Sequence, residues 1–229
     1  MLHKLGLKYG TDKATYHGYT HEYEKQFQGI REDVKNVLEI GTAEGYSVQM
    51  WRDYFPNATI YTVDIRSDVY KYPEDDRIVL CIYNFGKHED DDESHTHQEY
   101  KLDVKDGFKG INSFKRDLPI EFDVIIEDAS HMMKDQQITL AKLFDQVKSG
   151  GIYVLEDLAT SHKSPRWNKY KKDGDTNTLD MLNEFNKTGK FESVHMTEEQ
   201  MDYLNENMDS CEICTMKMSK SILAFMRKK

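Results

Sequence analysis

Apolar positions along the chain form short runs, separated by segments with helical periodicity. Runs with the length and composition of buried strands occupy residues 37–40, 59–63, 78–83, 122–126 and 152–155, with further candidates at 99–104, 191–196 and 221–226. Helical patterns occupy residues 46–55, 106–115, 135–147 and 176–186, and residues 149–151 predict a turn. An alternation of strands and helices predicts an α/β fold with a mostly parallel, doubly wound sheet.

The residues before the first predicted strand have a pattern of their own. Aromatic side chains recur at spacings of three and four, at Tyr16, Tyr19, Tyr23 and Phe27. This spacing predicts a helix that packs one face on the core or on a partner. We therefore expect residues 1–30 to form a helical lid or oligomerisation segment. Residues 31–229 are expected to form one domain, since no linker rich in Pro, Gly or Ser interrupts them.

Composition limits the classes of function. A length of 229 residues fits one large α/β domain, and a formal net charge of -10 argues against a broad electrostatic grip on nucleic acid. No stretch approaches the roughly 20 apolar residues of a membrane helix, and the first ten residues lack the apolar run of a signal peptide.

The cysteines and the acidic run concern the compartment and the surface. A disulfide framework is not expected from Cys81, Cys211 and Cys214, so we expect a reducing, cytoplasmic compartment and ordinary thiols. The acidic residues 88–93 are interpreted as a solvated loop.

A glycine-containing turn follows the first predicted strand. Residues 41–45 read Gly-Thr-Ala-Glu-Gly and lead into a predicted helix, while Asp64 ends the next strand. Ligands of open α/β sheets bind beyond the carboxyl ends of the strands, and glycine lets the backbone approach them closely. A carboxylate at Asp64 is suited to accept hydrogen bonds from ribose hydroxyls. The pattern favours a nucleotide-like ligand over the alternative of an ordinary turn with a surface aspartate.

Acidic residues follow two further predicted strands directly. Asp128 comes after one of them, and Glu156 and Asp157 come after the next. If these strands are neighbours, about 4.8 Å apart, the three carboxylates meet at one edge of the sheet. Such a set suits Mg²⁺, or Mn²⁺ as a close mimic, whereas acids that cap helices or face solvent are the structural alternative. His131 lies three positions beyond Asp128, and an imidazole there is suited to act as a general base.

Two stretches resemble methyltransferase motifs. Residues 39–45 are similar to the acidic-x-Gly-x-Gly-x-Gly motif I of class I methyltransferases, with Ala43 in place of one glycine. Residues 45–47, Gly-Tyr-Ser, are similar to catechol-type O-methyltransferases, in which that serine meets the methionine end of the cofactor.

A more specific resemblance lies further along the chain. Residues 128–131 (Asp-Ala-Ser-His) and 150–158 resemble the macrocin and mycinamicin sugar O-methyltransferases, whose usual forms are D-G-S-H and G-G-x-Y-V-x-E-D. Residues 10–13, together with His17, Tyr19 and Tyr23, also resemble that family's N-terminal signature. Residues 50–56 resemble its first helix. The resemblance extends from about residue 8 to residue 161.

The resemblance implies a Rossmann-like class I methyltransferase fold. This fold has a mostly parallel seven-stranded sheet, helices on both faces and an antiparallel C-terminal strand. It implies transfer of a methyl group from S-adenosylmethionine to a sugar hydroxyl, with a rhamnose-like deoxysugar of a glycan or natural product as the acceptor. Mg²⁺ would be held by Asp128, Glu156 and Asp157, and His131 would be the general base.

We expect the cofactor to contact Glu39, Gly41, Thr42, Gly45, Ser47, Asp64, Asp103 and Asp128. Asp64 is placed on the ribose and Asp103 near the adenine. Tyr16, His17 and Tyr19 are expected to help enclose the acceptor, either within the chain or across a homo-oligomer interface. The alternatives are a catechol-like small-molecule O-methyltransferase and a non-catalytic binder of S-adenosylmethionine. His131 favours the sugar enzymes, since catechol-type relatives have a lysine at that position.

Overall fold

A single seven-stranded sheet runs through the part of the chain that the computed structural model describes, which is residues 1–66, 75–85, 110–162, 164–172 and 174–229. The strands are β1 (Asn36–Ile40), β2 (Thr59–Asp64), β3 (Ile78–Ile82), β4 (Phe122–Glu127), β5 (Val147–Leu155), β6 (Met208–Thr215) and β7 (Ile222–Lys228). Their order is β3-β2-β1-β4-β5-β7-β6, and the first five strands pair in parallel. Strand β7 is antiparallel to both of its neighbours. The predicted mostly parallel sheet with an antiparallel C-terminal strand is confirmed.

The topology fixes where a ligand would bind. The chain runs outward from β1 to β2 and β3 and then returns to β4 on the other side of β1. Strand order therefore reverses between β1 and β4, and the crevice beyond the carboxyl ends of these two strands is the usual ligand site of an open α/β sheet.

The α-helices of the described residues are α1 (Leu2–Tyr9), α2 (Asp12–Thr15), α3 (Thr20–Phe27), α4 (Tyr46–Tyr54), α5 (Ile111–Asp117), α6 (Met133–Leu143), α7 (Thr178–Thr188) and α8 (Glu198–Asn207). Alternate residues of the central strands supply two buried apolar clusters. In β4, Val124 and Ile126 belong to one cluster and Ile125 belongs to the other. Side chains alternate across a strand, so the sheet is covered on both faces. Within the described ranges, no helix is long and apolar enough to span a lipid bilayer.

The N-terminal segment contains three short helices, and the helix that the aromatic spacing predicted corresponds to the last of them, α3. Gly10 and Gly18 both have left-handed backbone angles, with φ of 77° and 78°, and they separate the helices. Tyr19, Tyr23 and Phe27 are fully buried and belong to the same apolar cluster as Val37 of β1 and Val124 of β4. The segment is therefore part of the core of the domain.

The predicted strand at residues 191–196 is wrong, and β6 takes its place in the sheet. The backbone N–H groups of Phe191 and Val194 donate to the side chains of Asn205 and Thr176 and not to a neighbouring strand. Residues 149–151, predicted as a turn, lie within β5 beside an irregularity in its pairing with β4. The predicted strand at residues 99–104 lies outside the described residues.

Gly41 is a position where the fold demands glycine, and this generates a stability prediction. Its φ is 100°, and a Cβ there would lie 2.0 Å from the carbonyl oxygen of Asp128. Gly150 also has a positive φ, 75°, but a Cβ there meets nothing within 4 Å. Gly150→Ala should cost about 1–2 kcal/mol of unfolding free energy, the left-handed penalty alone. Gly41→Ala should cost a further ~1–3 kcal/mol from the clash, measured by urea denaturation. Equal losses in the two variants would contradict the close approach.

Candidate functional site

The tips of β1, β4 and β5 lie side by side at one edge of the sheet. Ile40 pairs with Glu127 across β1 and β4, and Glu127 pairs with Leu155 across β4 and β5. The ladder continues one residue further, because the N–H of Asp128 donates to the Ile40 carbonyl oxygen at 2.9 Å. The acidic residues that follow the strands are brought together by this register.

The turn after β1 is closed by the carboxylate at the end of β2. Oδ2 of Asp64 accepts hydrogen bonds from the backbone N–H groups of Thr42 (3.2 Å) and Ala43 (3.3 Å). Ala43 has a φ of 44°, so it occupies the left-handed region that glycine favours. Asp64 thus lies at the turn, in the place expected of a residue that meets a nucleotide-like ligand.

Glu39 is a fully buried carboxylate on β1, beneath that turn. Its oxygens accept hydrogen bonds from Trp51 Nε1 at 3.0 Å and from Ser47 Oγ at 2.9 Å. Burial raises the pKa of Glu39 to about 7. Glu39 and Ser47 therefore belong to one hydrogen-bonded unit at the start of α4.

Lys13 lies among three of these carboxylates. The sequence did not predict this position for the lysine. Its side chain is 1% exposed, and Nζ lies 2.5 Å from Asp128, 2.9 Å from Glu156 and 3.7 Å from Glu39. Burial lowers the pKa of Lys13, but the surrounding carboxylates outweigh it and hold that pKa well above the ordinary value. The only sequence signal was its place in the N-terminal signature at residues 10–13.

Both oxygens of Glu156 are engaged by the N-terminal helices. Oε2 accepts a hydrogen bond from Lys13, and Oε1 accepts one from the hydroxyl of Tyr23. Burial raises the pKa of Glu156, while Lys13 opposes that shift. In this structure Glu156 faces the lysine and the tyrosine.

A second group, formed by Asp128, His131 and Asp157, could hold a metal ion. One donor atom from each residue lies within 4.8 Å of the other two. His131 Nδ1 is 3.9 Å from Asp128 Oδ1, and His131 Nε2 is 3.5 Å from Asp157 Oδ2. His131 Nδ1 is buried without a hydrogen-bond partner among the described residues. Two hard carboxylate oxygens beside an unsatisfied polar atom fit a divalent cation such as Mg²⁺ or Mn²⁺.

The residues expected to enclose an acceptor lie beside Asp157. The Tyr19 hydroxyl donates to Asp157 Oδ1 at 2.9 Å, and His17 Nδ1 is 3.4 Å from the same oxygen. Tyr16 is 64% exposed and meets the edge of His17. Tyr170, which the sequence analysis did not single out, packs edge-on to His131 with ring centroids 6.1 Å apart.

Two further predictions concern other parts of the chain. Asp103 and residues 88–93 fall outside the described residues. Cys211 and Cys214 lie on β6, and burial raises the pKa of each thiol to about 12. Thiols with so high a pKa are poor nucleophiles at neutral pH.

A family model described as a methyltransferase domain matches residues 14–202. The chain belongs to this methyltransferase domain family. The match covers β1 to β5, the glycine turn and the carboxylates beyond the strand ends.

Curated relatives of this methyltransferase chain act on sugars. It is 32% identical over 173 residues to 8-demethyl-8-(2-methoxy-alpha-L-rhamnosyl)-tetracenomycin-C 3'-O-methyltransferase of Streptomyces olivaceus, covering 70% of this chain and 37% of that protein. It is 29% identical over 174 residues to mycinamicin VI 2''-O-methyltransferase of Micromonospora griseorubida, covering 70% and 37%. The resemblance to macrolide-type sugar O-methyltransferases is therefore confirmed. The chain spans well under half the length of these two curated relatives.

A solved structure has the same fold. MycE methyltransferase from the mycinamycin biosynthetic pathway, in complex with Mg, SAH and mycinamycin VI, superposes with a TM-score of 0.70 and 24% identity. The alignment covers 99% of this chain and 54% of that chain. This likeness supports the class I methyltransferase fold.

The tyrosine contacts of the site generate a stability prediction. Tyr23 and Tyr54 are both fully buried, and each donates its hydroxyl to a glutamate, Glu156 and Glu24 respectively. Glu156 is buried, whereas the side chain of Glu24 is 26% exposed. Tyr23→Phe should therefore cost about 1.5–3 kcal/mol of unfolding free energy, against about 0.5–1.5 kcal/mol for Tyr54→Phe. Thermal and urea unfolding of the two variants measure this difference, and a larger loss for Tyr54→Phe would contradict it.

Proposed function

We propose that this chain is a Mg²⁺-dependent O-methyltransferase that methylates a sugar hydroxyl, with a rhamnose-like deoxysugar of a glycan or natural product as acceptor. The observation that carries the proposal is the group formed by Asp128, His131 and Asp157, at the strand ends beside the glycine turn. Membership of the methyltransferase family and the sugar O-methyltransferase names of the relatives support it.

S-adenosylmethionine would supply the methyl group. Glu39 and Ser47, which are joined by a hydrogen bond at the start of α4, would receive the methionine end. Gly41, Thr42 and Gly45 present the backbone of the turn. The Asp64 carboxylate accepts hydrogen bonds from the backbone N–H groups of that turn. It would give up part of this hydrogen bonding to accept from the ribose hydroxyls. Asp128 belongs to the metal group and shares the Lys13 ammonium group with Glu39 of this pocket. Asp103 is still proposed to lie near the adenine.

When bound, Mg²⁺ would orient neighbouring acceptor oxygens and stabilise the negative charge that develops on the nucleophile. Asp128 and Asp157 each direct one oxygen toward His131, and we assign these two oxygens to the metal. Glu156 is the third ligand that the resemblance implies. Each of its oxygens accepts one hydrogen bond, from Lys13 or from Tyr23, and each keeps a second lone pair that can face the ion.

His131 is the proposed general base. Its Nδ1 is buried, so Nε2 is the atom assigned to take the proton from the sugar hydroxyl as the oxygen attacks the methyl group.

The acceptor is proposed to be enclosed from the N-terminal side by Tyr16, His17 and Tyr19. We further propose that the enzyme works in the cytoplasm and without nucleic acid. Assembly into a homo-oligomer also stays a prediction.

Metal dependence is the first test of the proposed function. EDTA should suppress methyl transfer to a rhamnoside, and added Mg²⁺ should restore it. Asp157→Asn should weaken Mg²⁺ binding more than about tenfold in calorimetry, because a neutral amide oxygen replaces a charged carboxylate. Asparagine also tolerates the left-handed backbone of this position, whose φ is 57°. The exposed Asp209→Asn serves as the control. Full activity in EDTA would contradict metal dependence. Methyl transfer to catechols and not to the rhamnoside would contradict a sugar acceptor.

The second test separates the base from the metal ligands. His131 has a φ of 58°, so His131→Asn changes the side chain without straining the backbone as alanine would. We expect kcat to fall by about 10²–10⁴-fold, the usual contribution of a general base. Affinities for Mg²⁺ and S-adenosylhomocysteine should be unchanged. The residual rate should rise with pH as hydroxide replaces the imidazole.

His162→Asn, at an exposed histidine that follows the neighbouring strand β5, is the matched control for this test. Full activity in His131→Asn would assign the base to another residue. A loss of Mg²⁺ affinity in that variant would instead make His131 a ligand.

A further inference from the structure

The carboxylates of Asp128 and Asp157 are each held on one side by the N-terminal segment. Asp128 Oδ2 accepts from Lys13 Nζ at 2.5 Å, while its Oδ1 is the oxygen nearest to His131 Nδ1. Asp157 Oδ1 accepts from the Tyr19 hydroxyl at 2.9 Å, while its Oδ2 is the oxygen nearest to His131 Nε2. In both residues, one oxygen accepts a hydrogen bond from the N-terminal segment and the other faces His131.

The side chain of Lys13 is directed at the carboxylates of the strand ends. It is 1% exposed, and its ammonium group reaches the acids that follow β4 and β5, with Glu39 of β1 slightly further away. An ammonium group has three N–H donors, and two of them are directed at Asp128 and Glu156. The lysine thus links the proposed cofactor pocket to the proposed metal group.

We propose that Lys13 and Tyr19 are positioning residues for the metal site. By binding Asp128 Oδ2 and Asp157 Oδ1, they fix the rotation of the two carboxylates and present Asp128 Oδ1 and Asp157 Oδ2 to the ion. Partners behind ligating side chains orient them in this way in other metal sites, where their loss costs about 10–100-fold in metal affinity. This inference rests on the proposed function, since it concerns the same ion.

The sign of the change in Mg²⁺ affinity distinguishes positioning from simple charge balance. Lys13→Met removes a positive charge close to the site, so a purely electrostatic role predicts tighter Mg²⁺ binding. A positioning role predicts binding that is about 10–100-fold weaker. Calorimetric titration of the cofactor-free protein with MgCl₂ measures this directly and does not depend on turnover.

Two further variants keep the test independent of folding. Lys13→Met/Glu39→Gln restores the balance of buried charge without touching either proposed metal ligand, and it should remain folded with weakened Mg²⁺ binding. Tyr19→Phe changes no charge and should also weaken Mg²⁺ binding severalfold, whereas Tyr54→Phe, which loses only its bond to Glu24, should not. Thermal unfolding of each variant confirms that the titrated protein is folded.

The outcomes separate this inference from the proposed function. If the unaltered chain binds no Mg²⁺, the metal-dependent function fails. If the unaltered chain binds Mg²⁺ and both the charge-balanced variant and Tyr19→Phe bind it equally well or more tightly, the positioning role fails while the function stands. Weakened binding in both variants, with normal binding in Tyr54→Phe, is the result that we expect.

Discussion

The structure depends on how buried negative charge is tolerated at one edge of a parallel sheet. Three adjacent strands deliver Glu39, Asp128 and Glu156 to the same place, and like charges in contact without water repel strongly. A single buried lysine opposes this repulsion from within the cluster. Because the lysine comes from α2, the N-terminal segment has to be packed against the strand ends for the acids to remain there.

This requirement explains the form of the N-terminal segment. Its helices are short and divided by glycines, yet Tyr19, Tyr23 and Phe27 are fully buried. Such packing fixes Lys13 against the acids, and it sets the Tyr19 hydroxyl on Asp157. The N-terminal segment therefore forms one side of the site. Its aromatic residues contribute both buried apolar surface and hydrogen-bond donors.

Much of the sheet and of the acid cluster was predictable, because both follow from local patterns. An apolar run that ends in an acid places that acid at a strand tip, and neighbouring parallel strands bring their tips together. The role of Lys13 was not predictable, since its partners lie 115 and 143 positions away. The missed strand β6 is half exposed and polar, so its pattern is weak. Residues 191–196 have the apolar pattern of a strand, but side chains from distant segments satisfy their backbone.

Among the described residues, four non-glycine residues have a positive φ; three of them belong to the proposed site and the fourth, Lys220, does not. His131 and Asp157 both have left-handed backbone angles, although neither is glycine, and both belong to the candidate metal group. Residues in this region cost of order 1–3 kcal/mol and persist only when their surroundings hold them. At Asp157 the surroundings are identifiable: the Tyr19 hydroxyl binds one carboxylate oxygen, and His17 lies 3.4 Å from it. Contacts from a distant segment thus hold a strained residue whose other oxygen faces His131.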